Sequence, residues 1–173
     1  MIKQALALVT VVSLTVIASD AWTNDEHEDG MRDSRSPLVQ LVRQATEQFR
    51  DVRLAEAAGY QPGPCVSGRD GGAMGIHFIN PAYLDDQPPV VTEPEALIYE
   101  PQPNGKLRLV GVEYITLAGP AVLEGHLLNY TSSANRYGLP EFWELHVWAW
   151  KSNPIGTFAD WNPRVSCNAT PAA

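Results

Sequence analysis

Apolar positions recur along this chain at two periods, separated by stretches with no period. Over residues 37–58, Leu38, Leu41, Val42, Ala45, Phe49, Val52 and Ala55 recur at three- and four-residue spacing, with Leu41 and Val42 side by side on the stripe. That spacing draws one apolar stripe down an α-helix. Ser36 is placed to cap its start, Pro37 suits the first turn, and Gly59 suits the stop. A helix with one apolar stripe needs a flat partner, most simply a sheet.

Beyond Gln61 the period shortens and turn residues multiply. The stretches 73–80, 96–100, 106–116 and 141–151 read as strands, rich in β-branched and aromatic residues. Asn104-Gly105 marks a two-residue hairpin turn between the second and third of them. A short helix is expected over 122–128. The segment 152–167 contains two Asn-Pro pairs and reads as ordered loop. A helix followed by several strands predicts an α+β domain over 37–173. Its N-terminal helix packs on an antiparallel sheet or partial β-barrel.

Residues 1–36 have a different pattern. Lys3 precedes an apolar run over 5–18, and Ser19-Asp20-Ala21 supplies small residues for cleavage. The run is about 14 residues, shorter than the roughly 20 that span a bilayer. The reading is a signal peptide over 1–21, leading to the periplasm or secretion, with no stable membrane insertion after cleavage. Residues 22–36 are polar and mostly acidic, and are read as a disordered tail. Export changes the meaning of Cys65 and Cys167, the only 2 cysteines. In an oxidising compartment they are expected to form a disulfide closing the domain, in preference to a catalytic thiol. The formal charge of −8, with 12 Lys+Arg against 20 Asp+Glu, comes without a basic cluster. This argues against nucleic-acid partners. Oligomeric state is not legible.

Three segments, GAMGIHFINP (72–81), EALIYEPQPNGKLRLVGVEY (95–114) and LHVWAWKSNPIGTFADWNPRVSC (145–167), are similar to a group of exported bacterial proteins with no established activity. The resemblance implies export and the domain boundary. It carries over no functional residues.

The candidate chemistry lies in histidines and carboxylates within predicted strands. His77 follows Met74 and Gly75. Strand alternation puts Glu144, His146, Trp148 and Trp150 on one face. Glu113 interrupts an apolar strand and shares a face with Leu109, Gly111 and Ile115. If that face is buried, its carboxylate needs a partner. One arrangement gathers these features: His77, Glu113 and His146 bind a divalent metal (zinc, copper, iron or manganese), with Glu100 or Glu144 as fourth ligand or supporting partner. Such a centre could serve an enzyme through bound water or dioxygen; the sequence does not decide this. Two other readings stay open. Met74, Trp148 and Trp150 could line a metal-free aromatic pocket for a small organic ligand. Alternatively, Glu113 pairs with Arg108, Arg136 or Arg164 in a polar core network of a structural envelope protein.

Overall fold

The computed structural model describes residues 36–68, 71–84 and 87–169. The expected signal peptide and nearly all of the acidic tail lie outside the described residues.

The helical stretch expected over 37–58 is divided into α1 (Pro37–Thr46), a 3₁₀ turn (Glu47–Arg50) and α2 (Val52–Ala57). The break falls at Asp51, whose backbone is extended at φ −93° and ψ 107°. Its carboxylate accepts a bond from the Arg53 amide at 3.1 Å, so Asp51 starts a second helix. An apolar stripe carries no record of such a cap. Ser36 makes no side-chain cap; its carbonyl accepts from the Gln40 amide at 3.2 Å. Gly59 does end α2, at φ +99°, with the Tyr60 amide bonded to Ala55 O.

Among the described residues eight strands follow: β1 (Gln61–Ser67), β2 (Ala73–Ile79), β3 (Ala96–Pro101), β4 (Leu107–Thr116), β5 (Val122–Leu123), β6 (His126–Leu127), β7 (Asn129–Thr131) and β8 (Phe142–Val147). Six form a curled antiparallel sheet in the order β1-β2-β3-β4-β8-β7, and β5 pairs with β6. β1 was not expected, because Pro62 and Pro64 break its pattern; as an edge strand pairing only with β2 it tolerates them. The expected helix over 122–128 is instead the β5–β6 hairpin. Glu124 and Gly125 take φ +47° and +83°, a mirror-image turn that no Asn-Gly or Asp-Gly pair announces.

The β3–β4 turn holds three residues, one more than expected. The Gly105 amide bonds Gln102 O at 2.9 Å and the Gln102 amide bonds Lys106 O at 2.8 Å, with Gly105 at φ +74°. This is a type I turn followed by a left-handed glycine. A bulge in β4 then offsets the extra residue: Tyr99 pairs with Leu109, but Ile98 pairs with Gly111. Val110 is therefore inserted on the face expected for Leu109, and Leu109 joins the opposite face.

The two faces of the sheet are covered differently. Leu97, Tyr99, Val112, Tyr114, Leu145 and Val147 join Leu38, Val39, Val42 and Phe49 of the helical segment in one apolar core. Tyr99 donates its hydroxyl to Phe49 O at 2.6 Å, and Trp150 Nε1 donates to Thr46 Oγ1 at 3.0 Å. On the other face, Ala73, Ile98, Val110, Trp148 and Val165 form a smaller cluster. The segment 152–167 lies over it and is bonded to the sheet, so its expected status as ordered loop holds. Ala73 and Asn162 exchange backbone bonds at 3.2 and 3.1 Å. The Cys65–Cys167 disulfide, across 102 residues, fastens its far end to β1. Among the described residues no helix is long and apolar enough to cross a membrane.

Candidate metal centre

The strand register explains why three distant residues meet. Glu113 on β4 lies directly opposite His146 on β8. His77 on β2 faces Ile98 on β3, which faces Gly111 on β4. His77 and Glu113 are thus two strands apart, and Ala96, the cross-strand partner of Glu113, intervenes with only a methyl group. Two strand spacings amount to about 9.5 Å in a flat sheet. The curl and two long side chains close that gap. Gly75, at φ +98°, bends β2 just before His77, and a Cβ there would lie 2.7 Å from Tyr99 O. Only glycine permits that approach.

His77 Nε2 stands 3.5 Å from His146 Nε2 and 3.3 Å from Glu113 Oε2. One donor atom from each of the three residues lies within 4.8 Å of the others, and all three side chains are at most 1% exposed. Two donors about 2.0–2.1 Å from one tetrahedral ion lie roughly 3.3–3.4 Å apart. The spacings around His77 Nε2 match that edge. The cluster could hold a metal ion.

A second layer surrounds these donors. Arg136 Nη2 donates to Glu113 Oε1 at 2.6 Å and also to Glu144 Oε2. Tyr137 donates its hydroxyl to Glu113 Oε2, and its ring meets His77 edge-on at 5.5 Å. Thr131 Oγ1 donates to Glu144 Oε1 at 2.5 Å. Trp148 stacks beside His146 at 6.2 Å. Asp160 Oδ1 lies 3.6 Å from His146 Nδ1. Of the three arginines considered as partners of Glu113, Arg136 is the one that pairs with it; among the described residues no ion pair joins it to Arg108 or Arg164.

Burial sets the protonation of the cluster. Desolvation, then the facing His146 and Arg136, holds His77 well below the ordinary imidazole value, so it is neutral. Desolvation and the adjacent Glu144 push Glu113 well above the carboxylate range, against the pull of Arg136 and Tyr137. Burial also raises Glu144, but its bond to Glu113 and its electrostatic interaction with the facing His146 and Arg136 prevail and bring it down to about 2. The two carboxyls are therefore driven apart, Glu113 holding its proton to higher pH and Glu144 losing its own at low pH.

The remaining expected residues fall elsewhere. Glu100 is on the same face as Glu113 but further along β3, where Lys151 Nζ reaches both its oxygens at 2.7 Å and the Ser166 amide donates at 3.2 Å. Its carboxylate secures the C-terminal loop, not the cluster. Trp150 does not continue the alternation of Glu144, His146 and Trp148. β8 ends at Val147, and the Trp150 and Lys151 amides both turn to Val110 O, which delivers the indole to the helical side. A cavity of about 270 Å³ opens beside Trp150, lined also by Arg50, Lys106, Arg108 and Leu109. Neither Met74 nor Trp148 lines it, so the expected aromatic trio is divided. His126 packs against Phe158 with the rings tilted and their centroids 4.0 Å apart, and takes no part in the centre.

Sequence reasoning did not single out Thr131 or Asp160, and it names Tyr137 only among the aromatic residues of the last third of the chain, some of which could line a pocket. They come from loops or a short strand without a local signature. No protein-family model, curated protein or solved structure matches the chain.

Proposed function

We propose that this is an exported protein that binds one divalent transition metal through His77 Nε2, His146 Nε2 and Glu113. The observation that carries the reading is the spacing of 3.5 and 3.3 Å around His77 Nε2, inside a buried pocket of three donors. Two imidazoles and a carboxylate suit zinc, copper, iron or manganese, and three protein ligands leave a vertex open to water or substrate. Thr131 and Arg136 engage Glu144, which makes it a supporting partner beside the centre, whereas Lys151 and the Ser166 amide engage Glu100 away from it. Export rests on the leader pattern at 1–21, on the resemblance to exported bacterial proteins, and on the disulfide, which suits an oxidising compartment.

The test is elemental analysis of mature protein purified from an export compartment without a histidine tag. We expect near one equivalent of a transition metal. His77→Ala/His146→Ala should lose it with the circular dichroism spectrum unchanged, and Glu113→Gln gives a milder second variant. Metal-free protein that stays so after incubation with zinc, copper, iron and manganese would overturn the reading. That outcome would turn the search to the second reading, a module for a small organic ligand, starting at the cavity beside Trp150.

A further inference from the structure

Two polar atoms at the edge of the cluster face each other without a partner. His146 Nδ1 and Asp160 Oδ1 are both shielded from solvent, neither makes a hydrogen bond, and they lie 3.6 Å apart. The Asp160 side chain as a whole is 38% exposed, so it bridges the buried centre and the surface. Leaving two complementary groups buried and unjoined is costly. A shift of well under 1 Å would bring them to the usual N–H···O length of about 2.9 Å.

We infer that Asp160 is the positioning residue of the metal centre: it accepts the Nδ1 proton of His146 and so presents the Nε2 lone pair to the ion. The inference rests on the metal-binding reading above. A ligating imidazole commonly donates its second nitrogen to a carboxylate, which fixes tautomer and ring orientation and raises ligand basicity. His146 has no other acceptor for that proton among the described residues.

Three further observations show that Asp160 is held in place. Trp148 Nε1 donates to Ala159 O at 2.6 Å, one residue before it. Asn162, two residues after it, bridges to Ala73, and its side chain bonds Ser152 O at 3.3 Å. Gly72 lets this loop press onto the sheet, since a Cβ there would lie 2.3 Å from Asn162 O. The loop is therefore clamped on both sides of Asp160, while the ring it faces is packed against Trp148.

Charge gives the aspartate a second role. Glu113 and Glu144 ionised, Arg136 and a divalent ion together leave one positive charge in a buried site. Asp160 cancels it.

Zinc titration of the full mature protein, with ¹⁵N NMR of the histidine ring nitrogens, tests this. Outer partners of metal ligands are typically worth 10–100-fold in affinity. We expect Asp160→Ala to bind one zinc about 10–100-fold more weakly, with the metal-free protein still cooperatively folded. Its metal-free His146 should also shift away from the Nδ1–H tautomer. Asp160→Asn retains an acceptor oxygen without the charge, so it should keep the tautomer and lose less affinity. Wild-type affinity in Asp160→Ala, with the tautomer retained, would overturn the inference and leave the metal site standing. If the wild type itself binds no zinc, nor any of the other three metals, the metal-binding reading fails and the inference with it.

Discussion

The sheet has one face that reads as ordinary protein interior and one that does not. On the helical side, burial is apolar and redundant: Leu97, Tyr99, Val112 and Leu145 each touch a continuous core. On the opposite side the sheet buries His77, Glu113, Glu144 and His146 in a row beside a small apolar cluster. Burying an apolar side chain is favourable by itself, whereas a buried ionisable group costs free energy unless its partners repay it. The first face therefore accounts for the fold. The second spends stability on groups a fold does not need, which is why function is sought there.

The largest effect should come from the link between the two C-terminal attachments. The Cys65–Cys167 bridge closes a separation of 102 residues and secures the loop over the polar face. The chain-entropy argument assigns a loop of that size about 4.7 kcal/mol. Cys65→Ala/Cys167→Ala should lower unfolding free energy by roughly that amount in urea titrations. A loss below about 1 kcal/mol would mean that the backbone bridge at Asn162 holds the loop without it.

A matched pair of variants then sets the faces against each other. Leu97→Ala, in the apolar core, should cost about 2–5 kcal/mol and leave zinc affinity unchanged. Glu113→Gln keeps the side chain's shape and leaves Arg136 paired with Glu144, so stability should change by only about 1 kcal/mol. Its zinc affinity should fall at least about 100-fold, beyond the range for outer partners. If Glu113→Gln unfolds the protein as readily as Leu97→Ala, the carboxylate is a structural element and the contrast collapses.

The asymmetry also explains how much was legible in the sequence. Glu113 stood out because it interrupts an apolar strand, and its partner His146 follows from alternation on a neighbouring strand. Both are consequences of a period of two. The bulge at Val110 was invisible, since an extra apolar residue within an apolar run changes no pattern. It was still enough to exchange Leu109 for Val110. Arg136, Tyr137 and Asp160 come from loops whose course is set by tertiary bonds, and nothing local announces where such a loop will land. Trp150 shows the limit of alternation itself: the pattern runs on in the sequence, but the strand stops at Val147.

Proton release provides a finer comparison. Glu113 is held above its ordinary range, so it keeps its proton to higher pH than a free carboxyl, whereas His77 is held below its own and is already neutral. Binding must displace the Glu113 proton and costs none at His77. Zinc affinity should therefore rise with pH up to the raised value of Glu113 and level off above it, by about tenfold per pH unit for each proton released. Calorimetry in two buffers of different ionisation enthalpy reads the proton directly. In Glu113→Gln that release should vanish. Release that persists in the variant would assign the proton to another group.

The smallest effect should come from the bond that seats the loop beside Asp160. Trp148→Phe keeps an aromatic ring next to His146 but removes the Nε1–H that Ala159 O accepts at 2.6 Å. A single hydrogen bond contributes about 1 kcal/mol, and the carbonyl left behind can turn to water because the loop lies at the surface. With the space the smaller ring leaves in the cluster, unfolding free energy should drop by about 1–3 kcal/mol. Zinc affinity should weaken by less than in Asp160→Ala, since the carboxylate stays on a loop still fastened at Asn162 and Cys167. A stability loss above about 3 kcal/mol would instead make Trp148 a pillar of the small apolar cluster, so that the polar face, too, would owe its order to apolar packing.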